Sequence, residues 1–301
     1  MRFGVVILPQ YDWPEAAVRW RRAEEFGFDH AWTYDHLSWR GLAGERWHAT
    51  VPTLTAAATV TSRIGLGTFV ASPNFRHPVP FAKDIATVDQ ISGGRVLLGL
   101  GSGGTGFDAY VLGQPQLTPR ERFARFAEFA ESLDALLRFE RGAADGASGI
   151  SFEGEWYTAA GARMVGEPAQ RPRMPLHLAA NGPKALDLAV RIGDGWVTTG
   201  GDHDDDATWW RSVGDLIHRL DDACAAAGRD PSTIGRTLSL DDGSRYSLAS
   251  AGAFDEAVGR AAELGYTDVV SHWPREHGLY AGDESVLDEV AARLPALRAI
   301  A

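Results

Sequence analysis

Short apolar runs alternate with amphipathic stretches along most of the chain. The first run, "FGVVIL" (residues 3–8), has no polar interruption, as expected for a strand buried on both faces. Ala16, Trp20, Ala23 and Phe26 then recur at helical spacing, between Pro14, which suits a first turn, and Gly27, which suits a left-handed helix end. "HAWTY" (residues 30–34) follows as a second strand and completes a βαβ unit. The same alternation predicts strands at 63–70, 95–101, 174–180, 195–200, 236–240 and 267–273. Helices are predicted at 79–91, 119–139, 183–192, 207–227, 254–264 and 285–298. Apolar strands alternating with helices imply a parallel sheet, and eight such units in 301 residues favour an α/β fold of the closed (β/α)8 TIM type over an open sheet. Residues 142–172 break the rhythm with Gly, Ala and a strand-like "ISFEGEWY". They read as an insertion after helix four of a single barrel spanning 1–301.

Composition narrows the function classes. The chain is 45% hydrophobic and 23% charged, ordinary for a globular protein. A net charge of -11 with only two lysines, Lys83 and Lys184, argues against nucleic-acid binding. The single cysteine, Cys224, excludes an internal disulfide framework and a thiolate metal cage, and reads as a small residue on a helix face. No run of eighteen apolar residues occurs and the N-terminus lacks a long apolar core, so the expectation is a cytoplasmic protein with no membrane partner.

In such a barrel the loops after the strand C-termini build the site. That rule selects Pro9 and Gln10; Asp35, His36 and Trp39; Ser72, Asn74 and His77; the glycines around Ser102; Asn181 and Gly182; Thr198 and Thr199; Asp241; His272 and Trp273. Adjacent Asp35 and His36 are the most suggestive, because histidine titrates near neutrality and exchanges protons in either direction. "GLGSGG" (residues 99–104) matches G-x-G-x-x-G, but the following loop runs to about Pro119 instead of opening a helix. These glycines read as room for a flat ligand rather than as a Rossmann turn. "NGPKAL" (residues 181–186) starts a helix directly after a strand, where the N–H groups of Gly182, Lys184 and Ala185 would suit a phosphate. "DHDDD" (residues 202–206) reads as an acidic helix start rather than a metal site, since successive side chains diverge. His48, His77 and His277 read as loop histidines, and Trp209 and Trp210 as packing residues. No metal ligand set is expected.

Together "AEEFGFDHAWTYDH", "SRIGLGTFVASPNFRHP", "DQISGGRVLLGLGSGG", "PLHLAANGPKALDLAVRIGDGW" and "EAVGRAAELGYTDVV" resemble the bacterial luciferase-like superfamily, in particular its coenzyme F420-dependent oxidoreductase branch. The resemblance implies a β/α barrel with an insertion, usually a homodimer, that binds a deazaflavin or flavin at the strand C-termini. It implies hydride transfer between coenzyme F420 and a small organic substrate. The alternative is an FMN-dependent monooxygenase served by a separate flavin reductase. Carried onto this chain, His36 would exchange a proton with substrate and Asp35 would contact the ring, and could also keep the imidazole protonated. A non-proline cis peptide at Phe69–Val70, with Ser72 beside it, would back the ring. Ser102, Gly103, Asn181, Gly182, Lys184 and Ala185 match positions that hold the linker and phosphate. Trp39 corresponds to a pocket tryptophan, and Thr199, His272 and Trp273 are expected to help shape the substrate pocket. Two departures count against a sugar phosphate: Gly104 stands where the glucose-6-phosphate enzymes carry Glu, and Asp202 where they carry a phosphate-binding Lys. A less charged organic substrate is expected.

Overall fold

The barrel closes because eight apolar strands each find two parallel neighbours. The computed structural model describes residues 1–140, 149–201, 203–243 and 245–299. Its strands are β1 (Arg2–Val6), β2 (His30–Thr33), β3 (Gly65–Thr68), β4 (Val96–Leu100), β5 (Ile150–Glu153), β6 (Thr158–Ala162), β7 (Leu176–Ala179), β8 (Gly195–Thr198), β9 (Gly235–Ser239) and β10 (Asp268–His272). Its α-helices are α1 (Trp13–Glu25), α2 (Thr50–Val60), α3 (Pro78–Ser92), α4 (Pro119–Leu137), α5 (Pro183–Ile192), α6 (Asp206–Ala227), α7 (Ala251–Glu263) and α8 (Val286–Arg298). The closed order is β1-β10-β9-β8-β7-β4-β3-β2, while β5 and β6 pair only with each other. The first and last barrel strands zip together over their full length, from Arg2 opposite Asp268 to Val6 opposite His272.

Sequence periodicity misses one helix, α2. Its "TVPTLTAAATV" is small and apolar all round, so no polar stripe marks a helical face. The other helices carry legible ends. Thr118 and Glu121 form a reciprocal capping box on α4, Asp205 caps α6 by accepting from the Thr208 amide, and His77 accepts from the Val79 amide at the start of α3. The acidic run before α6 therefore does serve a helix start through Asp205; its first residue, Asp202, lies outside the described residues. Trp209 is fully buried, and Cys224 is buried within α6.

The insertion contributes an antiparallel hairpin, β5 with β6. Glu128 of α4 anchors it by accepting from the amides of Trp156 (3.1 Å) and Tyr157 (2.7 Å). Residues 141–148 of the expected insertion lie outside the described residues.

Two separate apolar clusters follow from strand alternation. Phe3, Val5, Ile7, Ala31 and Val269 pack beneath the helices, whereas Val6, Leu8, Trp32, Tyr34, Val197 and Val270 fill the barrel interior. The interior is solid: a Cβ on Gly67 would sit 2.2 Å from Trp32 Cε3, so only glycine admits the indole there. Near the lower rim Asp268 meets Arg2 (2.8 Å) and His30 (3.1 Å). Burial pushes the Asp268 carboxyl up, but His30, Arg2 and Thr267 outweigh it and hold the group well below the usual range. A depressed native pKa contributes stability above the unfolded value of about 4 and loses it as pH falls through that window. Asp268→Asn is therefore expected to flatten the acid limb of the Tm–pH curve below about pH 4, measured by thermal denaturation from pH 7 down to pH 3.

Candidate active site

The side chains at the strand C-termini enclose a cavity of about 440 Å³, within the range of small-molecule sites. One wall is the end of β3, where Phe69, Val70 and Ser72 face the cavity and the Phe69–Val70 peptide bond is cis. The next is the β4 loop, Gly101 to Gly104. Here the glycines serve the protein more than a ligand. A Cβ on Gly101 would come 2.7 Å from Val70 Cγ2, and one on Gly103, at φ +78°, would come 2.4 Å from Asn74 Oδ1. Of the three cavity glycines, Gly104 alone would bring an added Cβ within 4 Å of nothing, and it leaves its wall open. Ser102, Asn181, Thr198 and Thr199 complete the side toward β7 and β8.

The turn after β2 supplies aromatic and ionisable side chains. Tyr34, His36, Trp39 and Arg40 line the cavity. The His36 ring is fixed by Asp108, whose Oδ2 lies 2.9 Å from Nδ1 and also accepts the Leu37 amide at 2.9 Å. Asp108 is buried. A carboxylate only accepts, so Nδ1 carries the hydrogen and Nε2 is the atom left for a ligand. Trp39 stands edge-on to Tyr34 at 5.1 Å and stacks with Trp47 at 6.4 Å.

Asp35 does something else. Its carboxylate is 1% exposed and takes a bidentate grip from Arg76, Nε to Oδ2 at 2.6 Å and Nη2 to Oδ1 at 2.5 Å. Arg76 in turn lies 4.3 Å over the Phe81 ring. Asp35 thus ties the β2 turn to the β3–α3 loop and does not line the cavity. Among the described residues its carboxylate reaches neither the cavity lining, where a ring contact was expected of it, nor the His36 imidazole, because alternation turns residue 35 away from the face that carries 34 and 36.

His272 and Trp273 are also displaced from expectation. His272 is fully buried under Tyr34, with Nε2 2.7 Å from the Tyr34 hydroxyl and Nδ1 3.0 Å from Asp241 Oδ2. Trp273 points the other way and stacks at 6.2 Å on Phe26, the C-cap of α1, so it belongs to the helix-side core rather than to the cavity lining.

At the start of α5, Gly182 is the N-cap and Pro183 the first helical residue. The Ala185 amide is already spent on Gly182 O at 3.0 Å, which removes it from the expected phosphate donors. Gly182 and Lys184 stay exposed, outside the cavity lining, with amides that precede the first intrahelical bonds. The Asn181 side chain is held by Gly200 O (2.6 Å) and Thr198 Oγ1 (2.7 Å).

Four polar residues at or behind the cavity wall escape the sequence reading: Tyr34, Arg40, Asp108 and Asp242. Asp242 lines the wall, bonds Ser239 Oγ at 2.6 Å, and burial pushes its carboxyl up. Tyr34 and Arg40 flank motif residues and could have been read with them. Asp108 carries no local signal, since it sits 72 residues from His36 in an irregular loop. Among the described residues no group of three His, Cys, Asp or Glu could hold a metal ion, and no helix is long and apolar enough to cross a membrane.

A closed eight-stranded parallel barrel with a ligand-sized cavity at the strand C-termini places the chain among the β/α-barrel proteins. It belongs to the luciferase-like monooxygenase family, whose profile matches residues 1–241. It is 40% identical over 181 residues to an F420-dependent glucose-6-phosphate dehydrogenase of Beutenbergia cavernae, covering 60% of this chain and 50% of that protein. It is 33% identical over 251 residues to an F420-dependent hydroxymycolic acid dehydrogenase of Mycobacterium tuberculosis, covering 80% of this chain and 60% of that protein. The chain thus spans about half the length of the curated relatives it matches. A solved F420-dependent secondary alcohol dehydrogenase, in complex with an F420–acetone adduct, superposes with a TM-score of 0.81 over 99% of both chains at 18% identity, a likeness of fold.

Proposed function

We propose that the protein is an F420-dependent oxidoreductase that moves a hydride between the deazaflavin ring and a small organic substrate, with His36 as the acid/base. The observation that carries this reading is His36 itself: Nδ1 is fixed on buried Asp108, and Nε2 has no hydrogen-bond partner among the described residues and lies beside the cavity. The names of the curated relatives supply the cofactor class.

The residues present fit a flat ring with a phosphate-bearing tail. Phe69 and Val70 offer an apolar wall, and glycines at 101, 103 and 104 keep the facing wall thin. Gly182 and Lys184 would hold a phosphate at the N-terminus of α5, where the helix dipole and unpaired amides favour an anion. A bound deazaflavin supplies the hydride-carrying carbon. The chain's part is to hold the substrate near that wall, keep water off it with Trp39 and Tyr34, and exchange a proton at His36 Nε2. Cavity residues carry one cation, Arg40, and one acid, Asp242, and Gly104 offers no acid of its own. That balance supports a substrate less charged than a sugar phosphate. A homodimer accompanies this reading by resemblance, and a cytoplasmic setting as the expectation drawn from the lack of long apolar runs in the sequence.

Titrating the purified protein with F420 and, separately, with FMN tests it. F420 is expected to bind at micromolar or tighter concentration and FMN more weakly. F420 binding no tighter than millimolar would overturn the proposal. Tight FMN binding with oxygen consumption in the presence of a flavin reductase would move the protein to the monooxygenases. Screening alcohols as F420 reductants, and carbonyl compounds, imines and enones as oxidants of reduced F420, then identifies substrate and direction.

A further inference from the structure

Behind Tyr34 lies a buried polar array that the role of His36 does not use. Asp241 follows β9 in a short turn, and its side chain and that of His272 are both fully buried. Asp241 Oδ1 accepts the Ser247 amide at 2.8 Å, while Oδ2 accepts the His272 amide at 2.6 Å and faces His272 Nδ1 at 3.0 Å. A carboxylate so engaged acts as an acceptor only, so Nδ1 carries a hydrogen and Nε2 is turned to the Tyr34 hydroxyl, 2.7 Å away. Tyr280 stacks flat on the imidazole, 3.8 Å between centroids, and brings its own hydroxyl within 3.3 Å of Tyr34's. Tyr34 lines the cavity. One residue therefore separates a fully buried Asp–His pair from the ligand space, and buried ionisable pairs are too costly to be simple filler.

We infer that Tyr34 is a second acid/base group of the site, backed by the His272–Asp241 pair, so that the site handles two protons. The inference rests on the deazaflavin reading. Hydride transfer between a ring and a carbonyl or imine changes the proton count at two places: the substrate heteroatom and the ring nitrogen system. His36 serves one of them. In the donating direction the Tyr34 O–H bond breaks and its proton bonds to an oxygen or nitrogen of the ligand. The Nε2–H bond of a His272 imidazolium breaks in turn, its proton restores the phenol, and neutral His272 stays hydrogen-bonded to Asp241. No electrons are exchanged in the relay; it is reloaded between turnovers when solvent in the emptied cavity gives a proton to the Tyr34 oxygen and the phenol's own proton passes back to His272 Nε2. Burial raises the Tyr34 hydroxyl well above its ordinary value, so it stands as a phenol at neutral pH and passes a proton rather than storing charge. Asp242, whose carboxyl burial also pushes up, and Tyr280 are the other titratable groups around this hydroxyl.

Tyr34→Phe separates the hydroxyl from the ring, since the ring edge that touches Trp39 and His36 is kept. In the F420-loaded enzyme this variant is expected to bind cofactor normally, lose about 10²-fold in kcat, and lose one limb of the kcat–pH profile. His272→Gln is expected to fall to a similar level, with the double variant no worse than either single, as for groups that act as a unit. In the cofactor-free protein, ¹⁵N spectra of the His272 ring are expected to report a protonated Nδ1 and an Nε2 whose shift moves in Tyr34→Phe. A Tyr34→Phe kcat within about twofold of wild type, additive losses in the double variant, or an Nε2 shift blind to the substitution each overturn the inference. Failure of the wild type to bind F420 would sink the deazaflavin reading alone, because the imidazole spectra decide the array without cofactor. Should Tyr34→Phe not fold, the wild-type imidazole spectra and the His272→Gln kinetics decide it.

Discussion

Replacing His36 by alanine is expected to lower turnover by about 10²- to 10⁴-fold, the usual span of general acid/base catalysis, while cofactor affinity stays within a few-fold of wild type. The imidazole lines the cavity and, among the described residues, hydrogen-bonds only through Nδ1, so removing it costs the site a proton carrier and little else. Asp108→Asn is the sharper companion. An amide in place of the carboxylate can donate to Nδ1 and so favour the wrong tautomer, with hydrogen on Nε2. Its kcat should fall with the His36 residue still present, and the pH dependence of kcat should shift. Steady-state kinetics from pH 5 to pH 9, beside a fluorescence titration of F420, measures both effects. Full turnover by His36→Ala with cofactor bound would remove histidine from the mechanism.

Asp35→Ala is expected to cost about 3–5 kcal/mol of stability, read from chemical denaturation, because it strands a mostly buried guanidinium. The Arg76 side chain is 15% exposed and gives two hydrogen bonds to that one carboxylate. Removing both partners is a different matter. Asp35→Leu combined with Arg76→Met should recover most of the loss, since an apolar pair of similar volume leaves no uncompensated charge. A cofactor-contacting Asp35 would behave in the opposite way: affinity for F420 would drop sharply and stability would hardly change. The pair of measurements separates a brace between loops from a ligand contact.

The barrel was legible because its strands are short, apolar and regularly spaced, and because Pro and Gly punctuate the helix ends, as at Pro183 and Gly228. Helix α2 was not legible, since Ala- and Thr-rich sequence without a polar face has no helical stripe to read. In the site, "TYDHLSW" pointed to the right turn, and His36 and Trp39 do line the cavity. The same stretch misled on Asp35, and "SHW" misled on Trp273.

Those errors share one cause. In a parallel barrel both faces of a strand are buried, one against the interior and one against helices, so both are apolar and nothing in the sequence marks which parity faces inward. The amino-acid sequence by itself determined the repeating units, the end of the barrel where the cavity lies, and the position of His36 on that rim. Only the tertiary structure decided the partners: Asp108 for His36 across 72 residues, Arg76 for Asp35 across 41, and His272 for Tyr34 across 238. Barrel closure sets these pairings by bringing the ends of distant strands to one rim, and a carboxylate's choice of partner depends on distances that no local pattern encodes.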